Sequence, residues 1–115
     1  MIEGLMVTRL NIIGVDGGDV LHVMKSYDHG YDGFGEAYFS TIESGAIKGW
    51  KRHREMVLNL IVPIGAIRFV AFDDRKESST MGNYYEITFS YENYSRLTVP
   101  PMVWLGFQGG GEGSS

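Results

Sequence analysis

The chain of 115 residues and 12.9 kDa is long enough for one hydrophobic core and too short for two ordinary domains. With 43% hydrophobic and 21% charged residues it has the balance of a folded protein rather than a disordered one. The absence of cysteine excludes disulfides, thiolate metal sites and a cysteine nucleophile, and a net charge of -4 gives no general attraction to nucleic acid or anionic membranes.

Seven Tyr, six Phe and 16 Gly favour many short strands joined by tight turns, hence an all-β chain. Alternation of apolar and polar residues predicts strands over 5–13, 20–27, 36–41, 46–53, 58–62, 67–73, 84–90 and 97–99. Turn chemistry separates them at Asp16-Gly17-Gly18, His29-Gly30, Asp32-Gly33, Ser44-Gly45, Ile64-Gly65 and Met81-Gly82. In 67–73 Ile67, Phe69 and Ala71 face one way while Arg68, Val70 and Phe72 face the other, the pattern of a central strand. Met56, Val57 and Leu60 have helical spacing, but the run ends at Pro63 and continues an apolar stretch that reads as a buried strand. The spacing suits a sandwich or barrel occupying 1–108, with 109–115 a flexible Gly/Ser-rich tail. An apolar stretch at 103–107 directly before that tail leads to the expectation that a further strand, outside these residues or from a partner subunit, completes the sheet. The N-terminus has no basic region followed by an apolar run, and no stretch approaches the ~20 apolar residues of a membrane span, so a cytoplasmic location is expected.

The densest polar cluster is Lys48-Gly49-Trp50-Lys51-Arg52-His53-Arg54, strongly basic within an acidic chain. On a strand, Lys51 and His53 share one face and Trp50, Arg52 and Arg54 the other. Histidine is the natural general base near neutral pH, and an ammonium beside it can stabilise a developing enolate oxygen. Arginine forks match phosphate oxygens. The same residues read equally as a solvated basic face with one satisfied histidine. Tyr38, one short strand and turn earlier, is either a candidate acid or one of several structural tyrosines. Asp73-Asp74-Arg75 at a strand end either orients His53 and binds substrate or forms a turn with a local ion pair. A metal site fails on supply: His22, His29 and His53 are well separated, and Lys51 stands where a His-x-His pair would need its first ligand. Gly14-Val15-Asp16-Gly17-Gly18 lacks the second glycine of a dinucleotide fingerprint and reads as a turn.

Three stretches together resemble the sugar-nucleotide cupins, which include dTDP-4-dehydrorhamnose 3,5-epimerase and the dTDP-4-keto-6-deoxyglucose 3,4-ketoisomerases. They are Phe34-Gly35-Glu36-Ala37-Tyr38-Phe39-Ser40-Thr41, the run 47–53 leading into Asn59-Leu60-Ile61-Val62-Pro63, and Phe72-Asp73-Asp74-Arg75 with Val99-Pro100-Pro101-Met102-Val103-Trp104-Leu105-Gly106-Phe107. The resemblance implies a dimeric, single-domain cupin (RmlC-like) jelly-roll barrel acting on a nucleotide-linked 4-keto-6-deoxy sugar, by proton removal and return beside the ketone, without cofactor or metal. It implies His53 and Tyr38 as catalytic residues; the chemistry of the basic cluster adds Lys51 to them, and Arg52, Arg54, Asp74, Arg75 and Glu36 are the candidates for substrate binding. Lys51 departs from the pattern by standing where ketoisomerase-like members have their first histidine. Leu105 stands where another histidine is usual, and Leu58 falls at the epimerase's catalytic lysine. A barrel that binds a sugar nucleotide or a partner enzyme without turnover is therefore the alternative, and a purely structural module the third.

Overall fold

The computed structural model describes residues 1–110; the tail expected from 109 onward lies outside the described residues from 111. Nine strands follow in order: β1 (Met6–Arg9), β2 (Ile12–Val15), β3 (Gly18–Leu21), β4 (Ile47–Lys51), β5 (Leu58–Leu60), β6 (Ile67–Phe72), β7 (Tyr84–Phe89), β8 (Ser95–Val99) and β9 (Trp104–Gly109). No helix occurs among the described residues, and the segment with helical spacing runs into β5. The all-β expectation therefore holds.

Two antiparallel sheets form the barrel, one ordered β4-β9-β6-β7 and the other β1-β8-β5, with β2 and β3 as a separate hairpin. β6 is central, as its two-sided apolar pattern predicts: it pairs with β7 from Ile67↔Phe89 to Phe72↔Tyr84 and with β9 from Ile67↔Gly109 to Phe72↔Trp104. The inner faces meet in a core of Ile2, Val62, Phe69, Ala71, Phe89, Leu97, Val99, Val103 and Leu105. Burying each large member contributes about 1.5–3 kcal/mol. Phe69 packs edge-on against Phe89, with ring centroids 5.6 Å apart.

Several elements differ from the sequence reading. The first expected strand is split at Leu10-Asn11, where Leu10 N–H bonds Tyr94 O and His22 N–H bonds Asn11 O, so the chain leaves one sheet to form the hairpin. The expected 20–27 strand stops at Leu21; beyond it Val23 O and His29 O accept bonds from Arg96, which pin this stretch as a loop across the outside of β8. The apolar stretch at 103–107 is itself most of a strand. β9 lies between β4 and β6 and reaches Gly109, one residue past the expected boundary, and Gly110 N–H bonds Ala66 O. Gly109 fits there because a Cβ would stand 2.2 Å from Glu43 O.

The expected strand at 36–41 is absent. Residues 31–41 are all exposed and form an extended arm without strand pairing, and Phe34, Tyr38 and Phe39 are 80%, 76% and 91% exposed. The alternation is strand-like, but a single protomer offers this arm neither a ladder nor a surface to cover its rings.

Candidate active site

β4 positions the basic cluster. It pairs with β9 through Ile47↔Gln108, Lys48↔Phe107 and Lys51↔Leu105, with a bulge between Lys48 and Lys51. Gly49 allows this close crossing: its φ is +140° and an added Cβ would stand 2.7 Å from Gly106 Cα. Opposed residues of an antiparallel pair point to the same side, so Lys51 shares its face with the core residue Leu105. Met102 N–H donates to His53 O at 2.7 Å, which carries the pairing past the end of β4. His53 follows two residues beyond Lys51, past the end of β4, and is partly buried. Neither the Lys51 nor the His53 side chain has a hydrogen bond or ion pair with any described residue, and the Lys51 side chain is exposed at the barrel mouth.

Arg52 takes the opposite side. Its guanidinium lies 4.6 Å from the Trp104 ring centroid and 3.4 Å from Asp74 Oδ1, while Trp104 Nε1–H donates to Asp74 Oδ2 at 3.0 Å. The structure thus brings Arg52 and Asp74 together, on the outer face of the sheet and not beside Lys51 and His53. Arg54 is exposed in the turn that follows, and Glu36 and Tyr38 lie on the exposed arm, whose nearest anchor to β4 is the 2.9 Å bond from Lys48 Nζ to Thr41 O.

Arg75 has a structural partner. Its Nε and Nη2 donate to the Asp73 carboxylate at 2.8 and 3.0 Å, and Nη2 also reaches Glu3 O at 2.6 Å. Asp73 is fully buried and accepts further bonds from Ser78 Oγ (2.6 Å), Thr80 Oγ1 (2.7 Å) and Arg75 N–H (3.0 Å). The Arg75 guanidinium, helped by these hydroxyl and amide donors, holds the Asp73 carboxyl far below the usual carboxylate range despite its burial. Glu3 accepts from Ser79 N–H at 2.9 Å, so the β6–β7 turn clasps the N-terminus. Sequence reasoning offered this turn as one of two readings of Asp73-Asp74-Arg75; the N-terminal contact is long-range, and no local pattern signals it.

Among the described residues no group of three His, Asp or Glu side chains is arranged to hold a metal ion. The positions that depart from the resemblance prove to be neighbours: Lys51 and Leu105 oppose each other directly across β4 and β9, with Leu105 buried. Leu58 packs against the core from β5.

No protein-family model matches the chain. A crystal structure of a dTDP sugar isomerase from Desulfovibrio desulfuricans superposes with a TM-score of 0.94 at 37% identity, covering 98% of this chain and 73% of that one. The chain belongs to the dTDP-sugar isomerase and epimerase family. A dTDP-4-dehydrorhamnose 3,5-epimerase from Sulfolobus tokodaii, 29% identical, gives a TM-score of 0.82 over 97% of this chain and 66% of that one. Among curated relatives of this family member, a probable low-salt glycan biosynthesis epimerase of Haloferax volcanii is 29% identical over 77 residues. That match covers 66% of this chain and 49% of the relative, so the chain aligns with about half the relative's length. The spore coat polysaccharide biosynthesis protein SpsL of Bacillus subtilis is 27% identical over 112 residues, 97% of this chain and 74% of that protein. The cupin barrel expected from sequence is thus the fold of these neighbours.

Proposed function

We propose that this dTDP-sugar isomerase and epimerase family member enolises a nucleotide-linked 4-keto-6-deoxy sugar in surface-polysaccharide or deoxysugar biosynthesis, without a cofactor. The observation that carries the reading is Lys51 opposite the core residue Leu105 with the partly buried His53 two residues on, both side chains without partners among the described residues. His53 takes the proton alpha to the ketone, and the Lys51 ammonium stabilises the oxyanion as it forms. Tyr38 returns a proton. Its phenol sits on an exposed arm, which supports a homodimer in which the arm of one protomer pairs with the other and brings Tyr38 and Glu36 to that barrel mouth. Arg54 is the arginine best placed to reach the diphosphate, since Arg52 and Arg75 already face carboxylates.

A second reading rests on the Lys51–Leu105 pair. Two adjacent departures on one face suit a barrel that binds a sugar nucleotide without turning it over. Proton NMR with dTDP-4-keto-6-deoxyglucose in deuterium oxide separates the two. Solvent deuterium entering C3 or C5 supports enolisation, whereas ligand line-broadening without exchange supports binding alone. A cytoplasmic location belongs with this soluble-substrate reading, and fractionation of the source cells tests it.

A further inference from the structure

A cleft of about 490 Å³ lies between the outside of the β1-β8 pair and the 22–29 loop, away from the barrel mouth. Its walls carry Arg9, His22, Lys25, Asp28, His29 and Arg96. Arg96 alternates with the core residue Leu97 and so points outward from the barrel, yet it is only 1% exposed because the loop covers it.

We propose that this cleft is a second anion site, for a small molecule bearing a phosphate or diphosphate group. Arg96 Nη1 donates to Val23 O at 2.6 Å and Nη2 to His29 O at 2.9 Å, bonds that hold the guanidinium without neutralising it. Its Nε is buried and has no partner among the described residues. One carboxylate lines the cleft: Asp28 Oδ2 forms an ion pair with Arg96 Nη1 at 3.5 Å and accepts the Lys25 N–H at 2.8 Å. Lys25 Nζ lies 5.9 Å from the Tyr27 ring centroid, and Arg9 is exposed at the rim. Three cations against one carboxylate leave a local excess of two positive charges in a chain of net charge -4. The excess rests on the exposed Arg9 and Lys25, and a dianion would balance it while giving the buried Arg96 Nε an acceptor. The two imidazoles add donors without adding a competing carboxylate. The volume suits a small metabolite, within the roughly 300–1,000 Å³ typical of ligand pockets.

The test follows the three histidine ring signals of the full chain by NMR during titration with inorganic phosphate and, separately, with dTDP. The site predicts saturating shifts of His22 and His29. Tighter binding of phosphate identifies free phosphate as the occupant, and tighter binding of dTDP identifies a nucleotide. The double variant Arg9→Gln/Lys25→Gln, which leaves the buried Arg96 in place, should weaken these shifts about tenfold while the His53 signal of the unliganded protein stays unchanged. Shifts confined to His53 would place the anion at the barrel mouth and overturn the proposal. Movement of His22 and His29 that never saturates, or that ignores the double variant, would overturn it equally.

Discussion

The turn at 73–83 and the arm at 31–41 are both long connections between strands, yet they are built in opposite ways. The turn spends its polar groups on itself: the Asp73 carboxylate has five donated bonds, from Arg75, Ser78 and Thr80, and Glu3 is drawn in from the N-terminus. The arm has no strand pairing and exposes four aromatic rings, those of Tyr31, Phe34, Tyr38 and Phe39. One region is bonded throughout within a protomer, and the other is anchored there at its end by Lys48 Nζ on Thr41 O while its rings stay exposed. Lys48, which anchors the arm, lies on the same strand as Lys51, and the side chains of Lys51 and His53 have no partners among the described residues.

The turn is most sensitive at Asp73. Asp73→Ala removes one partner of a buried ion pair and should cost about 3–5 kcal/mol in urea unfolding, leaving the aromatic arm unaffected. Gly49→Ala forces a side chain against Gly106 at a positive φ and should cost about 1–3 kcal/mol, with loss of β4 pairing visible by amide exchange. The pH dependence sharpens the contrast. Because the folded protein holds the Asp73 carboxyl far below its ordinary value, the resulting stability is full above the unfolded carboxylate range near ~4 and is lost as pH falls through the folded value. Thermal melts should therefore decline on acidification in the wild type and much less in Asp73→Asn. The smallest effect on the protomer is expected in the arm. Phe34→Ser with Phe39→Ser should change protomer stability by less than about 0.5 kcal/mol yet shift the mass in light scattering from dimer to monomer. An unchanged monomeric mass in the parent protein would contradict arm exchange.

The fold was legible where one strand's pattern carries its own environment. The two-sided apolar alternation of 67–73 identified the central strand, and the Arg52 contact with Trp104 puts Arg52 on the side opposite Lys51, as alternation there predicts. Residues 36–41 have the same alternation but no strand, because pairing depends on a neighbour that a single protomer does not provide. β9 was read as an apolar run since Gly106 and Gly109 interrupt its pattern, and Gly109 is explained by the Glu43 carbonyl that crosses it and leaves no room for a Cβ. The role of Arg75 was hidden for a related reason, as part of its partnership comes from Glu3 at the far end of the chain. The anion cleft left no motif at all, because Arg9, Lys25 and Arg96 meet only after the 22–29 loop folds over β8.

Proton chemistry by His53 is measured directly as deuterium exchange into dTDP-4-keto-6-deoxyglucose by wild type and His53→Ala, with dTDP affinity followed in parallel. Exchange at C3 or C5 should fall by about 10²–10⁴-fold in the variant while affinity and unfolding midpoint are retained. Equal exchange in the two proteins would contradict it.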